Sequence, residues 1–212
     1  MLGIIRVLTT TDEAVLGEHS RLMRESHGID SVSRCIADQP HGIYNDESEA
    51  VAAPKILELA AELGSRPDVD AISISCAADP ALIEARSALD IPVFGAGECG
   101  AYAAMMVADR VAVIGIGDDL PERMRTILGD RFHSYRVSPE HRRSTDLFAD
   151  DALDALTRLA QQAVDEGAGA ILFACTGFST IGLQAHLASS IQIPVIDLVQ
   201  SQAVAYSLIS KA

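Results

Sequence analysis

Two of the four cysteines in this sequence occupy matching positions and could act together on one substrate. Cys76 follows the apolar run 71–75 and Cys175 follows the similar run 170–174, so the two thiols lie 99 residues apart (175 minus 76). No pair of cysteines has the C-x-x-C spacing that is typical of zinc or redox sites. A single buried cysteine is usually just a small apolar side chain. The equivalent placement of two cysteines instead favours a shared chemical role.

Each of these cysteines precedes residues that are expected to start a helix. Asp79 is a good N-cap and Pro80 a good first helical residue, so a helix is predicted from residue 81. Residues 176–180 form a second turn into a helix. A thiol at a helix N-terminus ionises more easily, because backbone N–H groups and the helix dipole favour the anion. We therefore expect both thiols to have lowered pKa values.

A thiolate and a thiol on opposite sides of a carbon atom could invert its configuration. The thiolate removes the proton from one face and the thiol returns a proton to the other face, so no cofactor is needed. The enolate-like intermediate needs hydrogen-bond donors for its oxygen, and the backbone at the two predicted helix starts could provide them, at Ala77, Thr176 and Gly177. The sequence thus predicts a racemase or epimerase with Cys76 and Cys175 as its bases.

The segments that must position these residues alternate between strands and helices. The clearest helix spans residues 148–166, where apolar residues fall on one face and Gly167 ends it. A helix over 47–63 contains Pro54, so we expect it to kink or to start late. A last helix is predicted over 203–211. Eight short β-rich runs are predicted as strands: 3–9, 29–36, 70–75, 91–95, 110–116, 132–137, 169–174 and 193–197.

The order of these segments repeats after about a hundred residues and predicts two similar α/β lobes. We expect each lobe to be a four-stranded, mostly parallel sheet flanked by helices, with a pseudo-two-fold axis between the lobes. Residues 1–97 and a C-terminal helix at about 203–212 would form the first lobe, and residues 98–202 the second. Ligands of such sheets bind at the carboxyl ends of the strands, which places the active site in the cleft between the lobes.

The residues around both cysteines resemble motifs of the aspartate/glutamate/hydantoin racemase superfamily. The segment Cys76-Ala77-Ala78-Asp79-Pro80 is similar to the C-x-x-D-P motif of its hydantoin racemase branch. The segment 175–178, which reads Cys-Thr-Gly-Phe, is similar to the second motif of that branch. The resemblance covers essentially the whole chain and implies two α/β lobes that each supply a catalytic cysteine. It also implies a homo-oligomer, because members of the superfamily commonly assemble.

Departures from the superfamily pattern bear on the substrate. The amino-acid racemase branches usually have Asn-Thr after the first cysteine to hold the substrate carboxylate, where this chain has Ala77 and Ala78. We therefore expect proton transfer at C5 of a 5-substituted hydantoin or a related cyclic amide, rather than at free aspartate or glutamate. Many members also have an Asn-Pro-Asn-like turn after the first strand, where this chain has Thr9 and Thr10. These threonines could bind a substrate oxygen, or the segment could serve only to start a helix, with Thr11 as its N-cap.

Three further features could border the substrate. Residues 95–100 match the G-x-G-x-x-G pattern of dinucleotide sites, but they follow the fourth strand rather than the first. We favour a glycine-rich turn between the lobes whose N–H groups, at Gly97, contact the substrate. Asp79 is expected to contact the substrate as well. The loop 38–45 follows the second strand, where Tyr44 or Gln39 could shape the pocket or simply belong to an ordinary connection.

Composition and charge argue against several other functions. The net charge of −14 and the pI of about 4.7 argue against nucleic-acid binding, since phosphate backbones would be repelled. No apolar run reaches the roughly 20 residues of a membrane span, and the start lacks the features of a signal peptide. We therefore expect a cytoplasmic protein with reduced thiols, no membrane association, and a small molecule as its ligand.

No cofactor is expected either. Of the two lysines, Lys55 lies within a predicted helix and Lys211 beside the C-terminus, so neither suits a pyridoxal phosphate site. The histidines show no ligand spacing, and we expect most of them at the surface and no bound metal.

Two alternatives remain open on sequence alone. One is another reaction of the same superfamily: aspartate/glutamate racemisation, a maleate-type isomerisation or a decarboxylation. The other is a two-lobed ligand-binding protein without catalysis. Cysteines at both repeat-equivalent positions favour the two-base reaction over both, because some of the other enzymes keep only one cysteine or use it differently.

Overall fold

Two parallel β-sheets with the same strand order form the centre of the protein, whose computed structural model describes residues 1–210. The strands are β1 (Leu2–Arg6), β2 (Ser31–Cys35), β3 (Ala71–Ser75), β4 (Val93–Gly95), β5 (Val111–Gly115), β6 (Phe132–Val137), β7 (Ala170–Ala174) and β8 (Val195–Ile196). The first sheet has the order β2-β1-β3-β4 and the second the order β6-β5-β7-β8. Every pairing in both sheets is parallel.

Every residue of the inner strands β1, β3, β5 and β7 is buried. Strands covered on both faces need apolar side chains, and most residues of these four strands are apolar. Ser75 and Ala174 end β3 and β7 in register with the last residues of β1 and β5. Cys76 and Cys175 therefore leave the two sheets at equivalent places on their carboxyl edges. The predicted α/β fold with two similar lobes is confirmed, and all eight strands are present, most of them shorter than the predicted runs.

Helices cover the faces of both sheets. Helix α1 begins after Asp12, whose carboxylate accepts hydrogen bonds from two N–H groups in the first turn, so Asp12 rather than Thr11 is the N-cap. It ends at Gly28, whose φ of 66° closes the last turn. The helices are α1 (Glu13–His27), α2 (Asp46–Gly64), α3 (Leu82–Ala88), α4 (Ala96–Val107), α5 (Glu122–Leu128), α6 (Ala152–Asp165), α7 (Gly177–Thr180), α8 (Leu183–Leu187) and α9 (Leu198–Ser207).

Two helices differ from their predicted limits. Helix α2 runs without interruption across Pro54, and the expected late start is wrong. Asn45 and Ser48 form a capping box that fixes the start of the helix. Pro54 has no backbone N–H, so the helix loses only one of its hydrogen bonds there. Helix α6 starts later than predicted, because residues 146–148 form a separate 3₁₀ turn. No helix in the described part of the chain is both long and apolar enough to cross a membrane.

The last helix, α9, starts earlier than predicted and packs on the first sheet. It begins after Asp197, whose carboxylate accepts hydrogen bonds from the first turn. Residues 211–212 of the predicted helix lie outside the described residues. The lobe limits of 1–97 with this helix and 98–202 stay a prediction. The apolar cluster around α9 contains Leu2, Ile4, Met23, Ile29, Ala71, Val199, Ala203 and Tyr206.

Candidate active site

A cavity of about 1410 Å³ lies at the carboxyl ends of the inner strands of both sheets. The residues that follow these four strands line it: Val7, Cys76, Ile116 and Cys175. Cys76 is 8 % exposed and Cys175 is 7 % exposed. Burial raises the pKa of Cys76, and negative charge on Cys175 adds to the shift. The structure thus brings together the two cysteines that the sequence pattern singles out.

Asp79 shapes the turn after Cys76, although not as predicted. Its φ is 54°, a left-handed conformation that is uncommon outside glycine, and α3 begins only at Leu82. Asp79 is therefore not the N-cap of that helix. Its buried carboxylate instead accepts hydrogen bonds from the N–H groups of Gly97 (2.8 Å) and Glu98 (2.7 Å), in the first turn of α4. This contact fixes the turn that carries Cys76 to the start of a neighbouring helix.

Gly97 lets α4 approach that turn closely. A Cβ atom at Gly97 would lie 2.1 Å from the carbonyl oxygen of Ala77, and one at Gly100 would lie 2.2 Å from Cδ2 of Leu198. The glycines of the G-x-G-x-x-G pattern therefore have a packing explanation. Gly97 does not line the cavity, and its N–H is bonded to Asp79, so the predicted contact of this group with the substrate is not available.

The sulfur of Cys175 accepts a hydrogen bond from the backbone two residues further on. The N–H of Gly177 donates to Sγ of Cys175 over 3.3 Å, and the N–H of Ala78 lowers the pKa of Cys76 against the larger effect of burial. The N–H of Gly177 is thus occupied by a thiol rather than free for the substrate. The N–H groups of Ala77 and Thr176 have no acceptor among residues 1–210, and both residues line the cavity. These two are the donors that can stabilise developing negative charge.

Burial outweighs the hydrogen bonds to sulfur, so the predicted lowering of the thiol pKa values is wrong. Burial raises the pKa of Cys175 to about 11, although the N–H groups of Gly177 and Phe178 and the hydroxyl of Ser144 oppose the shift. Burial raises the pKa of Cys76 further, with a single N–H group opposing it. Both thiols are therefore harder to ionise than an exposed cysteine, and more groups favour the anion at Cys175 than at Cys76.

Thr9 and Thr10, which the sequence offers as substrate ligands, do not line the cavity. The hydroxyl of Thr9 donates to the carbonyl oxygen of Ile36 (2.6 Å) and accepts from the N–H of Gln39 (2.7 Å). The hydroxyl of Thr10 accepts from the N–H of Asp12 (3.1 Å) at the start of α1. Both hydroxyl groups are used inside the protein, where they fix a loop and a helix start.

The loop 38–45 contributes to the cavity through Tyr44 and its neighbours. Gln39 is buried behind it, and its Nε2 donates to the carbonyl oxygens of Gly42 (3.2 Å) and Ser48 (3.0 Å). Lys55 donates to a carbonyl group of the same loop. Of the two candidates from the sequence, Tyr44 shapes the pocket and Gln39 supports the loop.

Several residues near the cysteines were not predicted. Ser144 lines the cavity, and its hydroxyl opposes the burial that raises the pKa of Cys175, but it lies in an irregular loop that has no sequence signal. Tyr135 lines the cavity too, and its hydroxyl donates to the carbonyl oxygen of Gly117 (3.0 Å). Arg6 is buried at the end of β1, and a charged residue in an otherwise apolar strand is a signal that could have found it.

Two histidines are buried, although most histidines were expected at the surface. His141 is 2 % exposed, and its ring contacts Ser138 (2.7 Å) and Asp151 (3.2 Å). His19 is fully buried between α1 and the segments that carry the cysteines. The apolar face of an amphipathic helix does not by itself show which of its polar residues points inward.

The cavity wall is strongly acidic. Among the described residues Arg123 is its one basic lining residue, and it lies 3.7 Å from a carboxylate oxygen of Asp79 and 3.7 Å from one of Glu98. Glu49 pairs with no basic side chain within residues 1–210, and burial raises its pKa. Such a wall favours neutral or cationic ligands over anions. The acidic lining residues are Asp46, Glu47, Glu49, Asp79, Glu84, Glu98, Asp118, Asp119 and Glu122.

Two curated proteins with similar sequences are hydantoin racemases. The chain is 31% identical over 168 residues to the one from Pseudomonas sp. (strain NS671), and the alignment covers 74% of this chain and 65% of that protein. It is 26% identical over 178 residues to the one from Paenarthrobacter aurescens, with 81% and 75% covered. The chain therefore aligns with slightly less than two thirds of the length of the first relative.

Solved structures and a family model agree with this similarity. The allantoin racemase from Klebsiella pneumoniae has a TM-score of 0.85 at 24% identity, over 98% of this chain and 86% of that one, which supports the fold. The family model described as Asp/Glu/Hydantoin racemase matches residues 5–206. This match confirms the resemblance stated from the cysteine motifs. The chain belongs to the Asp/Glu/Hydantoin racemase family.

Proposed function

We propose that this protein is a cofactor-independent hydantoin racemase in which Cys76 and Cys175 exchange the proton at C5 of a 5-substituted hydantoin. The observation that carries the proposal is the presence of both thiols, from equivalent positions in two sheets, in one cavity. Family membership supports the reaction, and similarity to two hydantoin racemases supports the substrate. The cavity of about 1410 Å³ exceeds the roughly 300–1,000 Å³ of typical ligand pockets, which leaves room for the ring and its substituent.

The reaction removes one proton from the substrate and returns another to it. A thiolate on one cysteine takes the C5 proton, and the electrons of the C–H bond form an enolate with its charge on the adjacent carbonyl oxygen. The thiol of the other cysteine gives its proton to the opposite face of C5, so that the configuration is inverted and this cysteine becomes the thiolate. The reverse reaction starts from that second state.

The backbone around each cysteine has two separate roles in this mechanism. The N–H of Gly177 binds the Cys175 sulfur, and the N–H groups of Gly177 and Ala78 favour the anions of Cys175 and Cys76, respectively. The N–H groups of Ala77 and Thr176, one residue earlier in each turn, are directed to the enolate oxygen. A backbone N–H therefore stabilises the thiolate before proton transfer and the enolate oxygen after it.

The acidic wall argues against free aspartate or glutamate as the substrate. Both amino acids carry a net negative charge, and nine acidic side chains line the cavity against one arginine. Ala77 and Ala78 also offer methyl groups where a substrate carboxylate would need polar side chains. The C5–H of a hydantoin is more acidic than the α-C–H of a free amino acid, which suits a thiolate base.

The variants Cys76→Ala and Cys175→Ala test the two-base reaction. Each should lose racemisation by roughly 10²- to 10⁴-fold, the usual contribution of a general acid or base. In deuterated water each variant should still exchange the C5 proton of one enantiomer, and the two variants should act on opposite enantiomers, because each retains a base on one face. Polarimetry follows inversion and mass spectrometry follows deuterium.

Cys35→Ala provides the matched control, because Cys35 is a free cysteine that does not line the cavity. This variant should racemise at the wild-type rate. Undiminished racemisation by Cys76→Ala or Cys175→Ala would contradict the proposal. A wild-type protein that takes up no deuterium would indicate a binding protein, and carbon dioxide release from a malonate substrate would indicate a decarboxylase.

We also propose that the protein works in the cytoplasm as a homo-oligomer. The reaction needs reduced thiols, which a reducing compartment maintains. Cell fractionation would test the location, and sedimentation velocity would test the assembly.

A further inference from the structure

One buried histidine joins the two segments that carry the cysteines. His19 lies on α1 and is 0 % exposed. Its Nδ1 lies 2.8 Å from Oγ of Ser75, and its Nε2 lies 3.1 Å from the carbonyl oxygen of Thr176. Ser75 directly precedes Cys76, and Thr176 directly follows Cys175. A single imidazole ring therefore connects the end of β3 in the first sheet to the turn after β7 in the second.

These contacts determine which nitrogen carries the hydrogen. The carbonyl group of Thr176 can only accept, so Nε2 of His19 is the donor. Burial and the nearby charge of Arg6 lower the pKa of His19 well below its usual range, so the ring is neutral. Nδ1 then has no hydrogen and accepts one from the hydroxyl of Ser75. Both ring nitrogens thus have partners of the matching kind.

A further hydrogen bond closes a ring of contacts between the two segments. The hydroxyl of Thr176 donates to the carbonyl oxygen of Ser75 over 3.0 Å, so these residues are joined both directly and through His19. The hydroxyl of Thr180 lies 3.1 Å from Nε2 of His19 and accepts from Arg6 over 3.3 Å. Arg6 also donates to two carbonyl groups of α1, which holds the helix against this ring.

We propose that His19 is a positioning residue that sets the separation of the Cys76 and Cys175 sulfurs. The inference rests on the proposed reaction, in which both sulfurs must reach opposite faces of one carbon. A buried polar ring loses hydration that an apolar side chain of similar size would not need, so space filling alone does not explain a histidine here. Misplacement of reacting groups by about 1 Å can reduce a rate by about 100-fold.

The variant His19→Leu removes both hydrogen bonds and keeps most of the side-chain volume. In deuterated water, inversion of a 5-substituted hydantoin should fall by about 10- to 100-fold. Exchange without inversion should fall less, because each cysteine can still remove and return a proton on its own face. The ratio of exchange to inversion should therefore rise, and His19→Gln, which keeps a donor and an acceptor, should recover part of the inversion rate.

Two other variants serve as control and as a milder test. His141→Leu removes a buried histidine whose ring also contacts a serine hydroxyl (2.7 Å) but which does not line the cavity. It should lower stability without changing the ratio of exchange to inversion. Ser75→Ala removes only the donor to Nδ1 of His19 and should raise the ratio. It keeps the proposal testable if His19→Leu does not fold.

A second measurement does not depend on catalysis. A short bifunctional thiol reagent should link Cys76 to Cys175 in the wild type, and peptide mass spectrometry would detect the link. The His19→Leu protein should form it several-fold more slowly. Unchanged crosslinking, with exchange and inversion falling in parallel, would overturn the positioning role. Slower crosslinking in a protein that never racemises hydantoins would support the positioning role and count against the proposed function.

Discussion

Burial of the two thiols determines when they can act as bases. A cysteine is a base only as a thiolate, and burial raises the pKa of Cys175 to about 11 and that of Cys76 further. The N–H of Gly177 and the hydroxyl of Ser144 favour the anion at Cys175. Near neutral pH both cysteines of the free protein are therefore protonated thiols.

The rate of racemisation should consequently increase with pH. For a neutral 5-substituted hydantoin, kcat/KM should rise about tenfold per unit between pH 7 and pH 9, because the base is the deprotonated form of a group with a raised pKa. Ser144→Ala removes a hydroxyl that lowers the pKa of Cys175, so the pH profile of kcat/KM for this variant should be shifted to higher pH. A profile that is flat or falls over this range would show that formation of the thiolate does not limit the rate.

Stability has the opposite dependence on pH and must be followed alongside activity. Thiols of the unfolded chain ionise above about pH 8.5, whereas the buried thiols stay protonated until a higher pH. The unfolded state therefore releases more protons over that range, and the free energy of unfolding falls as the pH rises above it. Circular dichroism at each pH distinguishes this loss from an effect on catalysis.

Helix α4 is the element that fixes the turn of Cys76. Asp79 caps the first turn of α4, and the absence of a side chain at Gly97 lets the helix touch the carbonyl group of Ala77. The contact joins the backbone of α4 to the backbone of the turn after Cys76. A shift of either segment would therefore change the position of the cysteine.

The variant Gly97→Ala should separate α4 from this turn. Its Cβ would lie 2.1 Å from the oxygen of Ala77, so we expect a loss of about 2–4 kcal/mol in the free energy of unfolding together with a loss of activity. Gly17→Ala on α1 is the matched control, because its Cβ would meet no atom within 4 Å. It should stabilise the protein by about 0.5–1 kcal/mol through helix propensity. Equally small effects of both changes in urea unfolding would contradict the close contact.

The elements could be predicted from the sequence, but the contacts between elements could not. Short β-rich runs predict all eight strands, and the inner strands are the most apolar because buried parallel strands need such runs. Asp79 has the local sequence of an N-cap for the next helix, yet it caps a helix whose first turn is 18 residues away. Which helix reaches its carboxylate is decided by tertiary packing. For the same reason the sequence predicts a helix start at each cysteine but not the burial that raises both pKa values.

The acidic character of the whole molecule extends into the cavity. The chain carries a net charge of −14, and nine of its acidic side chains line this one space. Walls of low polarizability focus the resulting potential on a bound ligand. Substrate selection should therefore depend on the charge of the 5-substituent.

Two hydantoins of the same shape, one with a carboxylate and one with a carboxamide in the substituent, would test this selection. At low ionic strength the carboxylate should have a kcat/KM about tenfold lower, and added salt should reduce the difference by screening. Glu49→Gln should improve the carboxylate substrate, because Glu49 lines the cavity without a basic partner among residues 1–210. Glu58→Gln, on the same helix but outside the cavity, should not. Equal rates for both substrates at every ionic strength would contradict the argument.

The two sheets repeat each other, yet their cysteines have unequal surroundings, with more donors at Cys175 than at Cys76. Enantiomers have equal free energies in water, so the equilibrium constant of the proposed reaction is one, whatever the protein contributes. The ratio kcat/KM must then be the same for both enantiomers. The difference between the two thiols can therefore appear only in kcat and KM separately, and both must differ between the enantiomers by the same factor. The enantiomer with the higher kcat then also has the higher KM. Such a protein converts both enantiomers at the same rate when the substrate concentration is far below KM, and at different rates when the substrate is saturating.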